Sequence, residues 1–309
     1  MRSVSPSSPE QRQHINISQE AYDVIQNDSL TMMGKRNISG FINTILENCG
    51  ETHFENKDLK AYSTLPKNVT LKIRLNKHNY ADYYPTNGHW FGNRFKISQG
   101  EYIKAILEDY SRNTFFDREA LFYKPIIDRI SSQTDQGITP LVMNNGERYY
   151  VRPYRISEAH EAPYHYLIGL SSEDPQNTFK PASFRISRIN TLKNPVTSYS
   201  RKELTQKEKK NLESHVKEAG VAYLLGEIQE IDIRLTRVGL EMYNSIFHQR
   251  PMYKTIQKYG EDYLLTFNST ELQIKNYFFT FANEAEIVSP NALKEWFKNR
   301  YKNALNSYI

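Results

Sequence analysis

The chain has 309 residues, of which 39% are hydrophobic and 24% charged, and its formal net charge is +5. This length and composition are typical of a globular protein with two or three modules, and no apolar run approaches the ~20 residues that cross a bilayer. The net charge is too small to indicate nucleic-acid binding by itself. We therefore expect no membrane contact, and we expect any nucleic-acid site to be a local patch.

The first segment, residues 1–13, is polar throughout and is predicted to form a flexible tail. It lacks the apolar stretch that a secretory signal peptide needs. Cys49 is the only cysteine in the sequence, which excludes an internal disulfide and favours a cytoplasmic protein. Cys49 lies in an apolar helical pattern, which indicates a core residue rather than a nucleophile.

Residues 14–116 contain a repeat of a strand followed by helical segments. HINIS (14–18) and VTLKIRL (69–75) both alternate apolar and polar side chains, as a strand with one buried face does. A helical pattern follows each strand, and the last helices of the two copies align with a shift of 61 residues, which places Asn37 on Ser98. Both of these residues are suitable helix N-caps.

The repeat resembles the ribbon-helix-helix family, in which two copies pair their strands into an antiparallel ribbon that fits the DNA major groove. The resemblance implies an internal pseudo-dimer, because one chain carries both copies. Lys72 and Arg74 point outward on the second strand and are candidate nucleic-acid contacts, whereas the first strand offers His14, Asn16 and Ser18. The alternative is a structural or dimerising ribbon without nucleic-acid contact.

Residues 117–200 begin with a helical pattern at 117–134 and continue as short strands joined by tight turns, which predicts a small, strongly bent β-barrel. The triplet His165-Tyr166-Leu167 and the segment FRISRI (184–189) resemble the WYL domain, an Sm-like or SH3-like barrel named for a Trp-Tyr-Leu triplet. His165 replaces the Trp of that triplet, and Ser187 replaces the Asp of the family's Phe-Arg-Leu-Asp-Arg-Ile strand. Pro153 and Tyr154 match the family's proline-containing strand.

The WYL resemblance implies a face that senses nucleic acids or nucleotides. Arginine offers a planar fork that suits phosphate, and tyrosine offers a ring on which a base stacks. The predicted groove is lined by Tyr154, Tyr166, Arg185 and Arg188, with His165 at its edge. The alternative is a barrel core in which Tyr166 and Arg188 only satisfy each other.

The remaining sequence predicts a polar connector and a final α+β module. Residues 201–225 form a charged helical pattern with little apolar face, which is typical of a solvated helix or lid. Residues 226–309 follow the order βαββαβα, which predicts a ferredoxin-like sandwich. This module resembles the C-terminal extension that accompanies WYL domains, and the resemblance implies a homodimer.

The sequence lacks the motifs of common enzymes. It contains no phosphate-cradling glycine loop, no HExxH and no paired cysteines with metal-ligand spacing. We therefore predict a non-enzymatic protein with no catalytic residue, no cofactor and no bound metal.

The sequence as a whole predicts a multidomain α+β protein that binds nucleic acid. The N-terminal run at 16–49 followed by the barrel resembles the WYL accessory proteins of type VI-D CRISPR systems. This resemblance implies binding of single-stranded RNA and an RNA-targeting CRISPR effector as partner, whose activity the protein raises. The alternative is a transcriptional regulator that binds duplex DNA through the ribbon and senses a nucleic-acid or nucleotide ligand with the barrel.

Overall fold

The computed structural model describes residues 12–50, 53–54, 59–85, 90–159, 164–196 and 203–307. Most of the tail predicted at 1–13 lies outside this range. The chain divides into two compact units, residues 1–125 and 126–309. Within the described residues it is an α+β protein with three antiparallel sheets of two, four and five strands. No helix in the described range reaches the length and apolarity of a membrane-spanning segment.

The N-terminal unit is built from a two-stranded ribbon and helices. Its elements are β1 (Arg12–Ile17), α1 (Gln19–Met33), α2 (Ile38–Cys49), α3 (Leu59–Ser63), β2 (Val69–Arg74), α4 (Lys77–Tyr83), α5 (Gln99–Arg112) and α6 (Phe115–Phe122). Strands β1 and β2 pair antiparallel with Ile15 opposite Leu71. These two side chains are buried with Ile17 and Ile73, while the polar residues between them are exposed. The predicted internal pairing of the two strands is therefore present.

Each strand is followed by two helices that begin at a side-chain cap. The hydroxyl of Ser18 accepts a hydrogen bond from the Ala21 amide at the start of α1, and Ser98 and Glu101 form a complete capping box at the start of α5. The second copy also contains the short helix α4. Helix α4 has only seven residues, and its buried side chains are Asn79 and Tyr83. Because the helix is short and one of these residues is polar, the sequence shows no apolar periodicity there.

The second unit contains a five-stranded sheet. Its strands are β3 (Thr139–Met143), β4 (Arg148–Glu158), β5 (His165–Ser172), β6 (Lys180–Arg185) and β7 (Ile189–Leu192), and their order in the sheet is β6-β5-β4-β3-β7. The single helix predicted at 117–134 is instead two helices, α6 and α7 (Lys124–Gln133). Pro125 explains the break, because its ring would clash with the carbonyl four residues earlier in a continuous helix.

The two edge strands of this sheet are joined by one 3₁₀ turn, Ile186–Arg188. A flat sheet with strands ~4.8 Å apart would hold these edges ~19 Å from each other. A turn that rises ~2 Å per residue does not span this distance in three residues, so the sheet must curl. The described residues include no hydrogen-bonded pairing of β6 with β7. The structure therefore has an open curled sheet in place of the predicted small barrel, and β3–β7 are called the curled sheet below.

Helix α8 (Gln206–Ala219) is attached to the curled sheet by ion pairs. Arg152 donates to Glu208 at 2.9 Å, and Arg155 donates to Glu213 at 3.1 Å. Burial alone would raise the pKa of Glu208, but hydrogen bonds from Arg152 and Thr205 outweigh burial and lower it to about 2. The charged pattern at 201–225 predicted a solvated connector. Only Leu212 and Ala219 of α8 are buried, so the helix is largely solvated, and Glu208 and Glu213 attach it to arginines of β4.

The last part of the chain forms a four-stranded sheet with helices. Its elements are β8 (Ile228–Leu235), α9 (Arg237–Ser245), β9 (Tyr253–Tyr259), β10 (Asp262–Thr270), α10 (Glu271–Phe278), β11 (Ala285–Ser289) and α11 (Asn291–Asn306). The sheet order is β11-β8-β10-β9, with every neighbouring pair antiparallel. This is the strand order that the predicted ferredoxin-like arrangement requires. These elements are called the C-terminal sandwich below.

Candidate nucleic-acid interface

A cavity of about 550 Å³ lies between the curled sheet and the C-terminal sandwich, within the second compact unit. Three of the predicted site residues line it together: Tyr166, Arg185 and Arg188. The sandwich side contributes Leu272 and Asn276 of α10. We call this space the Arg185 cavity.

Strand alternation and register explain why the aromatic and basic side chains meet. Tyr164, which directly precedes β5, and Tyr166 are two residues apart and therefore lie on one face. Tyr166 is directly opposite Arg185 on the neighbouring strand β6. Ser183 precedes Arg185 by two residues and also lines the cavity. The pairing of β5 with β6 thus gathers rings, a guanidinium and a hydroxyl on one wall.

The guanidinium of Arg185 is held flat against an aromatic ring. Its central carbon lies 3.1 Å from the ring centroid of Tyr164, a stacked cation–π contact. The Nε of Arg185 and the hydroxyl of Ser183 are both buried, and neither has a hydrogen-bond partner among the described residues. Buried polar groups without partners are uncommon in proteins, and a ligand or an ordered water usually accounts for them. The cavity wall therefore presents two donors that suit an anionic or polar ligand.

Arg188 adds a second cation at the rim of the cavity. It is exposed and ends the 3₁₀ turn, which is fixed by hydrogen bonds from the Asn144 amide to the Arg188 carbonyl at 2.9 Å and from the Asn144 side chain to Ser187 at 3.0 Å. Glu147 is the one carboxylate among the described lining residues, and it accepts a hydrogen bond from the Tyr149 hydroxyl at 3.1 Å. Two arginines against one carboxylate give the cavity a net positive charge.

Tyr154 does not line the Arg185 cavity, which corrects the predicted groove. The pairing of β4 with β5 shifts by one residue between Pro153 and Arg155, so Tyr154 sits in a bulge. Its ring lies 5.8 Å from the guanidinium carbon of Arg155 and 5.9 Å from the Nζ of Lys209. Burial and a hydrogen bond to Glu213 raise its pKa. The extra residue of the bulge therefore places this ring by α8, and a regular strand alternation does not predict it.

His165 also lies outside the cavity. It alternates with Tyr164 and Tyr166 on β5 and therefore faces the other side of the strand. Its side chain is buried, and its Nε2 lies 3.8 Å from a carboxylate oxygen of Glu158 on the neighbouring strand. His165 thus packs inside the second unit.

Lys72 and Arg74 lie on a separate surface, the exposed face of the β1–β2 ribbon in the N-terminal unit. Arg12 is directly opposite Arg74, and His14 is directly opposite Lys72. Arg12 and Arg74 are like charges in directly opposed positions, an arrangement that destabilises a ribbon. The predicted strand began at residue 14, whereas β1 begins at Arg12, so the sequence did not predict this cation. We call these exposed polar residues the outer ribbon face.

Among the described residues, no group of three or more His, Cys, Asp or Glu side chains is arranged to hold a metal ion. No protein-family model matches the chain, and no curated protein matches it.

The fold is similar to that of a solved structure described as "Crystal structure of a CRISPR Cas-related protein". The TM-score is 0.72 at 20% sequence identity, and the match covers 100% of this chain and 96% of that chain. This similarity shows a shared fold over the whole chain. A second structure, proteasome accessory factor B/C (PafBC) of Arthrobacter aurescens, is 13% identical over 54% of this chain and 25% of that chain. Its TM-score of 0.26 is too low to indicate a shared fold.

Proposed function

We propose that this chain is a WYL-domain protein with an N-terminal ribbon-helix-helix region, and that it binds single-stranded RNA without catalysing a reaction. In this proposal it is an accessory protein that raises the activity of a type VI-D CRISPR RNA-targeting effector. The observation that carries the proposal is Arg185, whose guanidinium is stacked on Tyr164 and whose buried Nε has no described partner. A phosphate or the edge of a base supplies the missing acceptor.

The fold supports the WYL part of the proposal. The strand order β6-β5-β4-β3-β7, with a 3₁₀ turn between β6 and β7, is consistent with an incompletely closed small barrel. The FRISRI segment that resembles the family's motif forms the end of β6, the turn and the start of β7. The similarity of the whole chain to a CRISPR Cas-related protein supports the proposed setting.

The dimensions of the Arg185 cavity favour unpaired nucleotides. A space of about 550 Å³ is in the range of small-molecule sites, and it is far too small for a double helix. Sequence-tolerant binding of single strands uses aromatic side chains that stack on bases, together with cations that contact the backbone. Tyr164, Tyr166 and the two arginines provide both kinds of group.

Single-stranded RNA is expected to bind the full-length protein at least tenfold more tightly than duplex RNA of the same sequence, because only an unpaired base enters the cavity. The affinity should fall steeply as salt is raised, since phosphate contacts release counterions. Fluorescence anisotropy with both RNAs at two salt concentrations measures this. Equal affinity for the two forms contradicts the proposal.

The outer ribbon face favours a second candidate function, a DNA-binding transcriptional regulator. Arg12, Lys72 and Arg74 form an exposed strip of cations on a ribbon of the kind that enters a major groove. A duplex DNA that binds more tightly than single-stranded RNA, and that is released by Arg74→Ala, supports this function over the first.

We also infer that the protein forms a homodimer through residues 226–309. Phe247 is 69% exposed, Met252 66% and Tyr259 62%, and all three lie at or beside the edge strand β9. Large exposed apolar groups distributed along an unpaired sheet edge are typical of an interaction surface.

Changing both Met252 and Tyr259 to serine is expected to convert the dimer to a monomer. Fully burying one such side chain contributes about 1.5–3 kcal/mol, so the loss of both weakens association at least tenfold. Light scattering over a range of concentrations measures the mass. Leu30→Ser is the matched control, since Leu30 is 48% exposed in the N-terminal unit. A double variant that remains dimeric shows that this surface is not the main contact.

A further inference from the structure

A second groove continues from the Arg185 cavity across α10 towards α11. It has a volume of about 300 Å³, and it shares Leu272 and Asn276 with the cavity. At its far end lie Lys275, Trp296 and Arg300. We call it the Trp296 groove. Because the two spaces share these residues, the groove adjoins the cavity.

The groove combines an aromatic ring with two cations. The Nζ of Lys275 lies 4.9 Å from the Trp296 ring centroid, and the guanidinium carbon of Arg300 lies 5.7 Å from it. Trp296 is half-buried, while Arg300 is exposed and forms no ion pair with a described carboxylate. A ring flanked by cations offers stacking to a base and charge to the adjoining phosphates.

A different groove also adjoins the cavity, and its net charge is negative. It has a volume of about 400 Å³ and shares Leu225 and Leu272 with the cavity. Its charged lining residues are Glu227, Glu271 and Lys275, so two carboxylates face one cation. No carboxylate lines the Trp296 groove among the described residues. A polyanion is therefore directed into the Trp296 groove and away from the acidic one.

Packing alone does not account for both cations. Lys275 connects α10 to α11 through its contact with Trp296, and it also pairs with Glu271 at 2.7 Å. Arg300 is four residues from Trp296 on the same helix, so its contact with the ring adds no connection between helices. Leu272 is 48% exposed between the two spaces, where a bound base would cover it.

We propose that the RNA strand held in the Arg185 cavity continues along α10 and stacks a further base on Trp296, with Lys275 and Arg300 contacting the flanking phosphates. This inference rests on the proposed function and adds a second binding site to it. It commits to one occupant, single-stranded RNA, on the grounds of charge and of continuity with the cavity.

The test compares a short and a long oligouridylate, of about 3 and about 12 nucleotides, on the full-length protein. Arg300→Gln and Trp296→Leu are expected to weaken binding of the long RNA about tenfold and to leave the short RNA unchanged. Lys298→Gln is the matched control. It removes one charge from the same helix, and Lys298 is an exposed residue outside the groove. Arg185→Ala should weaken binding of both lengths.

The outcomes separate the two proposals. If Arg300→Gln and Trp296→Leu bind the long RNA like the parent while Arg185→Ala loses both lengths, the groove is refuted and the cavity stands. If Arg185→Ala binds both like the parent, the proposed function itself fails. An equal loss in Lys298→Gln shows a general charge effect and refutes the groove.

An oligothymidylate that binds as tightly as the RNA overturns the commitment to RNA. Thermal melts identify unfolding of Trp296→Leu, and the exposed Arg300 then carries the test.

Discussion

Changing Arg185 to alanine is expected to weaken binding of single-stranded RNA by about 1.5–3 kcal/mol, the range for losing a charge-assisted hydrogen bond. The loss is large because stacking on Tyr164 holds the guanidinium in place before the ligand arrives, so little ordering is needed on binding. Titration of a labelled RNA at fixed salt measures the change in Kd.

Two further variants make this result specific. Arg148→Ala removes an exposed arginine at the start of β4 that does not line the cavity, and it should bind RNA like the parent. Arg185→Lys keeps the charge but loses the planar fork, and we expect an intermediate affinity. If Arg148→Ala and Arg185→Ala lose equal affinity, the cavity has no special role and RNA is held by diffuse charge.

Changing Asp28 to alanine is expected to lower the free energy of unfolding of the N-terminal unit by about 3–5 kcal/mol. Asp28 is buried, and it accepts hydrogen bonds at 2.6 Å from both the Tyr110 hydroxyl and the Nε of Arg118. Burial, followed by the charge of Asp28, raises the pKa of Tyr110, which therefore remains a neutral donor. Without Asp28, the largely buried guanidinium of Arg118 has lost its counter-ion.

Urea denaturation measures this change, with the step belonging to the N-terminal unit followed separately. Glu230→Ala is the contrasting variant, because Glu230 pairs with Lys254 at 3.1 Å while both side chains are more than half exposed. Such exposed pairs contribute about 0–1 kcal/mol. Asp28→Asn retains an acceptor and should lose less than Asp28→Ala. If Asp28→Ala costs no more than Glu230→Ala, the buried network does not stabilise the unit.

Regular periodicity accounts for what the sequence predicted correctly. The ribbon strands alternate without interruption, and the predicted caps at Asn37 and Ser98 accept the expected backbone hydrogen bonds. The βαββαβα order was likewise visible, because each strand and helix of the C-terminal sandwich is bounded by a turn or a cap. Tyr166 and Arg185 line one cavity for the same reason, and the 3₁₀ turn adds Arg188, the third of the five residues predicted for the groove.

Irregular local structure and contacts between distant elements account for the features that the sequence did not predict. The bulge at Tyr154 inserts one residue, and no local pattern announces it. Helix α8 shows few apolar residues, because its attachment depends on arginines of another element, and a sequence window does not contain both partners. The sequence did not distinguish Trp296 from the other aromatic residues. Its contact with Lys275 and its place in the groove beside the cavity depend on how α10 packs against α11.

The origin of both ribbon strands in one chain gives the outer ribbon face a direction. When two identical chains build such a ribbon, a dyad axis makes it the same when read from either end. Here one strand carries Arg12, His14 and Asn16 while the other carries Thr70, Lys72 and Arg74. A nucleic-acid strand, with its 5′ and 3′ ends, also has no dyad. Its two orientations on this face would therefore contact different side chains. The ribbon also forms within one molecule, so dilution does not take it apart.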